Sequence, residues 1–234
     1  MLFDLRGAGR RRVVKVIFVS LALLMGGGLV LFGIGGGGAM PGGLLDAVSE
    51  GGGAGDTGAA RFERIEREAT TRARANPEDA AAWAAVARAR FNLASAGENF
   101  DQAEGAFAEG GQAQLRAAGR AWERHLELAG ERPDDRVASL MVQGFTALGD
   151  NARAATAQEV IAEQRESAGA YATLALLAYQ ANQTRKGDLA RARALELTEP
   201  DMRESLKGQL DAAKQQAAGG AARADGAGAQ DPPE

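Results

Sequence analysis

The apolar positions of this chain follow two different rules. From Val16 to Gly35 the stretch "VIFVSLALLMGGGLVLFGIG" is a nearly continuous apolar run in which Ser20 is the only polar side chain. No charged residue occurs between Val16 and Leu45. A helix rises 1.5 Å per residue, so such a run reaches about 30 Å, the hydrocarbon thickness of a bilayer. Residues 13–35 are therefore predicted to form one transmembrane helix. From residue 61 to 215 the apolar residues instead recur at spacings of three and four, the signature of helices with one buried face. Residues 36–60 and 216–234 have neither pattern and are predicted to be a flexible linker and a disordered tail.

Within the periodic region, "RFERIEREATTRARANP" places Phe62, Ile65, Ala69 and Ala73 on one stripe. Glu63/Arg67 and Glu68/Arg72 are spaced to pair along its exposed sides, and Asn76-Pro77 stops the helix. At the far end, "DMRESLKGQL" (Asp201 to Leu210) puts Met202, Leu206 and Leu210 on one side of a final helix. Alanine supplies much of the apolar content, whereas β-branched and aromatic residues are scarce outside residues 13–34. That composition favours helix over strand, and the fold class expected is all-α.

Charge sets the orientation. Arg6, Arg10, Arg11, Arg12 and Lys15 precede the apolar run against Asp4, while Asp46, Glu50 and Asp56 follow it with no Lys or Arg before Arg61. The positive-inside rule then leaves residues 1–12 in the cytoplasm and exports the body, giving a single-pass protein of the cell membrane. A cleaved secretory signal is the competing reading, although its apolar core is usually shorter and ends in a small-x-small site. "RRRVVK" (Arg10 to Lys15) bears a faint likeness to a twin-arginine signal, but a basic cluster before a span needs no special pathway. Gly26, Gly27 and Gly28 inside the span are either tolerated in a lone anchor or form a packing face for another membrane protein.

Candidate chemistry changes this picture little. Gly33, Gly35 and Gly38 match G-x-G-x-x-G, the dinucleotide-binding fingerprint, and Asp56 lies at a plausible distance for its acidic residue. The fingerprint needs a βαβ unit, yet Pro41 and further glycines follow and no parallel-sheet pattern appears. These glycines read as the end of a span and the start of a tether, with no cofactor expected. Residues 33–60 hold twelve glycines, and a chain of that kind reaches about 30 Å. The chain has no cysteine and one histidine, His125, which excludes thiolate sites and leaves no metal triad. No Ser-His-Asp arrangement is evident, so no enzyme activity is expected, and His125 is assigned to a surface or interhelical place. Asp134 and Asp135 suit a helix start. The net charge of −4 hides a body more acidic still, which argues against a nucleic-acid partner.

"AWAAVARARF" (Ala82 to Phe91) sets Trp83, Val86 and Ala87 in the order W-x2-apolar-small, with Phe91 one residue beyond the expected aromatic position. Ala118, Trp122, Leu126, Leu128 and Pro133 continue the pattern after an insertion of about 20 residues around "NLASAGENFDQAEGAFAEGGQ", expected to lengthen the loop and the second helix. A second unit carries Met141, Phe145, the turn Leu148 to Asp150, Ala154, Gln158 and Ile161. A third carries Tyr171, Leu174, Ala175, Tyr179 and Pro200, again with a one-residue shift. Together these residues, over 61–215, resemble the tetratricopeptide repeat, a helix–turn–helix unit of about 34 residues.

The resemblance implies an α-solenoid of about three helix pairs with a capping helix and a groove lined by the first helix of each pair. Carried over by register, the groove residues are Arg88, Phe91 and Asn92 in the first unit. Arg136, Gln143 and Thr146 follow in the second, and Leu176, Tyr179 and Gln180 in the third. Phe91 and Tyr179 have packing inside their own repeat as the competing role. Such a groove suits a peptide or a partner helix. Some members of the family clamp a terminal carboxylate with lysines and asparagines, and only Asn92 stands near such a place. The partners expected are proteins or peptides at the repeat and the bilayer at residues 13–35. The overall architecture resembles single-span repeat proteins that accompany the bacterial export machinery. A scaffold for an envelope complex is the alternative.

Overall fold

Short polar residues mark where the helices begin. The structure, a computed structural model, describes residues 58–227. The predicted span at 13–35, Gly26, Gly27 and Gly28, and all but the last three linker residues lie outside the described residues. Helix α1 runs Gly58–Ala75 and ends at Asn76-Pro77. Asp79 then caps α2 (Ala80–Ala94) by accepting the Ala81 N–H at 2.9 Å. After α3 (Glu109–Ala129), Asp134 caps α4 (Asp135–Ala147) and Asp150 caps α5 (Asn151–Arg165). Ser167 caps α6 (Ala168–Gln180), which α7 (Thr184–Leu197) and α8 (Arg203–Ala227) follow. Each such cap is worth about 1 kcal/mol. The described residues are therefore all-α in class, as composition and periodicity predict, and the Glu63–Arg67 pair forms on α1 at 3.5 Å.

Helices joined by short turns pack against one another and so alternate in direction. The closest partners are α2 with α3, α4 with α5, and α6 with α7. α5 packs on α6 and α3 on α4, which links the pairs, while α1 covers α2 and α8 covers α6 and α7. The second and third pairs repeat each other residue for residue. The N–H groups of Leu148, Gly149 and Asp150 donate to Gly144, Thr146 and Phe145; those of Ala181, Asn182 and Gln183 donate to Leu177, Tyr179 and Ala178. Gly149 (φ 72°) and Asn182 (φ 57°) take the left-handed conformation that this turn requires. The caps Asp134 and Ser167 keep the same offset of 33 residues.

The first pair departs from this period by an ordered insertion. Residues Gly97–Asn99 form a 3₁₀ turn, and strands β1 (Phe100–Asp101) and β2 (Ala106–Phe107) pair antiparallel with Phe100 opposite Phe107. The two rings meet edge to face at 5.1 Å. A side chain at Gly111 would collide with the Asn99 carbonyl, so that glycine is what lets α3 start against the insertion. The loop was expected to be longer and is a hairpin; α3, at 21 residues against 15 for α5, is longer as expected.

Among the described residues more than half of the buried hydrophobic side chains are alanine, and around them sit a few large ones, Trp122, Leu115, Met141, Leu177 and Leu210. Small residues bring the helix axes close, and the large ones fill what remains. Arg90, at the expected aromatic position of the first unit, instead joins three helices. It pairs with Glu66 of α1 at 2.6 Å and donates to Gln114 of α3 at 3.1 Å. Its neighbour Phe91 turns into the core.

The final helix is longer than expected. Leu206, Leu210, Ala213 and Ala217 continue one stripe against the core, and alanine favours helix beyond it. The helix therefore runs through residues 216–227 of the expected disordered tail at 216–234, and residues 228–234 lie outside the described residues. Two ion pairs fasten α8 to α7, Lys214–Asp188 at 2.7 Å and Arg191–Asp211 at 2.8 Å. The Tyr179 hydroxyl donates to Asp188 at 2.9 Å. Hydrogen bonds from Lys214 and then Tyr179 hold the Asp188 carboxyl below its ordinary value of 3.8, while burial and then the bond to Asp188 raise Tyr179 above 10.0.

A Cβ at Gly187 would strike the Tyr179 ring, so Gly187→Ala should lower stability by about 2 kcal/mol, read as a lower urea midpoint. A lowered carboxyl stabilises the fold above its ordinary value and stops doing so as pH falls through the folded one; a raised phenol does so below its ordinary value and stops as pH rises. The melting temperature should thus be flat between about pH 5 and 9 and fall on both sides. Asp188→Asn should flatten the acid limb.

Candidate binding groove

The buried stripe of α3 runs Leu115, Ala118, Trp122, His125, and its last member organises the candidate site. His125 is 4% exposed and lies with its ring 5.1 Å from that of Trp122. Its Nε2 accepts the Asp134 N–H at 2.9 Å. Nδ1, 2.8 Å from the Ala80 carbonyl, must then carry the proton and donate it there. One neutral imidazole thereby ties the first turn of α2 to the cap of α4. This is an interhelical role, one of the two places assigned to His125 from sequence.

Above this tie lies a cleft of about 680 Å³ whose lining includes Arg88, His125, Arg132, Asp134 and Arg136. Arg88 comes from α2, Arg136 from the first turn of α4, and Arg132 from the connection between α3 and α4. Arg88 stands 3.7 Å from Asp134, whose carboxylate also accepts the Arg136 and Val137 N–H groups. Asp135 is engaged by Arg165 of α5 at 2.9 Å, and the Gln164 amide donates to the Pro133 carbonyl. Arg136 and Arg132 are exposed and have no ion-pair partner among the described residues. The cleft therefore carries an excess of guanidinium groups over free carboxylates, suited to a negatively charged or carbonyl-rich ligand.

The structure brings together two of the nine groove residues expected from sequence, Arg88 and Arg136. Gln143, Thr146 and Gln180 are exposed and Asn92 and Leu176 half-buried, but none of them lines this cleft. Phe91 and Tyr179 take the competing role and pack in the core instead of facing a groove. They are 8% and 2% exposed, Phe91 packed towards Gly144 and Tyr179 over Gly187, because each fills space that a glycine on the facing helix leaves open. Arg132 and His125 were not expected here. The stripe at spacings of three and four through Leu115, Ala118 and Trp122 points to His125, whereas nothing in the local sequence marks Arg132.

No family model matches the chain, and no curated protein matches it either. Among the described residues no helix is long and apolar enough to cross a membrane, and no three His, Asp or Glu side chains gather as a metal site.

His125→Ala removes a ring and leaves a buried N–H and a carbonyl without their partner. Denaturant unfolding should show a loss of about 3 kcal/mol. Arg88→Ala and Arg136→Ala should each stay within about 0.5 kcal/mol of the parent, as expected of exposed side chains that serve no cap or core.

Proposed function

We propose that the protein is a membrane-anchored module of the tetratricopeptide type that binds proteins or peptides outside the cytoplasm and has no catalytic role. The observation that carries this reading is the 33-residue recurrence of caps, turns and helix ends between the pairs α4/α5 and α6/α7. A stack of such units offers the first helix of each pair as a continuous surface, and binding by this surface is what the architecture does best. Arg88 and Arg136 at one end, with Gln143, Thr146 and Gln180 exposed further along, make that surface polar and basic at the α2/α4 edge. The ligand this favours is a segment with a carboxylate at one end and small or polar side chains after it. The anchor is residues 13–35, and the role is that of a chaperone-like accessory of protein export.

Crosslinking in native membranes, followed by identification of what co-purifies, tests both levels. The intact chain is compared with an exported form lacking residues 1–35 and with the double variant Arg88→Glu/Arg136→Glu. Translocase subunits or many exported chains should be captured, and the double variant should reduce capture about tenfold. A single stoichiometric envelope protein would replace the export role with that of an assembly scaffold. Capture that ignores the double variant would remove this surface from the account.

A further inference from the structure

A second and larger cleft, of about 900 Å³, lies between α5, α6 and α7. Leu174 and Tyr171 of α6 form its floor. Glu159 and Glu163 of α5 make one wall acidic, and Arg185 and Lys186 of α7 make the other basic. Glu159 and Lys186 close on each other across it at 2.6 Å. One turn outward from Glu159, Glu163 is exposed, as is Arg185, and neither has an ion-pair partner among the described residues. On the rim stands Leu189, 66% exposed and the most exposed large hydrophobic side chain of the described residues.

An aliphatic side chain left this far in water forgoes about 2 kcal/mol that burial would return. Every feature needed to bury it is on the same face: a protruding leucine, a hollow with an apolar floor, a free acid and a free base on opposite sides. A surface that carries both knob and hole and both signs of charge is complementary to itself under a two-fold rotation, in which residue i meets j and j meets i. A partner of a single charge would match one wall and oppose the other.

We propose that this face is an isologous interface between two copies of the chain. Leu189 of each copy enters the opposing cleft over Tyr171 and Leu174, and Glu163 of each faces Arg185 of the other. No residue lining this cleft lines the first, so the inference uses none of the groups on which the reading of the first cleft rests.

Sedimentation equilibrium of the full chain in detergent micelles, at concentrations up to about 100 μM, reads the association directly. The parent should be a reversible dimer. Glu163→Arg and Arg185→Glu should each weaken it about tenfold or more, since each places two like-charged pairs in the interface. An equimolar mixture of the two single variants should restore association as a heterodimer, because the exchanged charges then match across the two copies. Leu189→Ser should weaken the dimer without lowering the melting temperature at a dilution where the parent is monomeric. A monomeric parent, association that ignores both single exchanges, or a mixture that fails to restore it would each overturn the proposal.

Discussion

Close approach of helices through alanine and glycine is the constraint on which the remaining structure depends. A buried alanine methyl contributes only about 0.8 kcal/mol, so such a core cannot draw its stability from large areas at any one place. It draws it from many short contacts along each helix, and from a few large side chains seated in the gaps that small residues open. Phe145 lies against Gly119 and Tyr179 against Gly187. The same closeness leaves little room for error, since a single added methyl at these glycines meets a rigid ring. Polar ties then fix which helix meets which: Arg90 joins α1, α2 and α3, His125 joins α2, α3 and α4, and Arg153 bridges Glu123 of α3 to the cap Asp150 at 3.4 and 3.3 Å.

Much of this architecture could be read from residue spacing, because helix boundaries are local chemistry. Asn76-Pro77, the turn Leu148 to Asp150 and the stripes through Ala69/Ala73 and Met141/Phe145 each placed an element near its observed position. What spacing hid was the use of a position once two helices meet. The aromatic residue displaced by one in the first and third units looks like a fault in the pattern. In the first, the displaced place belongs to Arg90, which makes a partly buried ion pair; in the third, it belongs to Ala178, which is fully buried. Phe91 and Tyr179 are then free to fill core space next to glycines on other helices, and no inspection of their own helices reveals those glycines.

The candidate site was legible in part for the same reason. Arg88 and Arg136 lie on successive first helices at positions the register assigns to one surface, and register is a property of the sequence. Arg132 lies in the connection between α3 and α4, where helix register assigns a residue to no surface. Helix α8 runs further than its glycine-alanine composition suggests, because Leu206, Leu210, Ala213 and Ala217 seat its preceding turns on the core.

The insertion between α2 and α3 separates two properties that usually travel together in a protein. It breaks the length of the first unit without disturbing the arrangement of the pairs beyond it, since each pair answers chiefly to its neighbours and the hairpin closes on itself through Asn99 and the Phe100–Phe107 contact. Sequence length at that turn is thus decoupled from the geometry of the stack. What is left free of the frame is the tip between the two strands, residues 102–105, because Asn99 donates to the Leu93 carbonyl of α2, Gln112 of α3 donates to the Phe107 carbonyl, and Phe107 packs on the core.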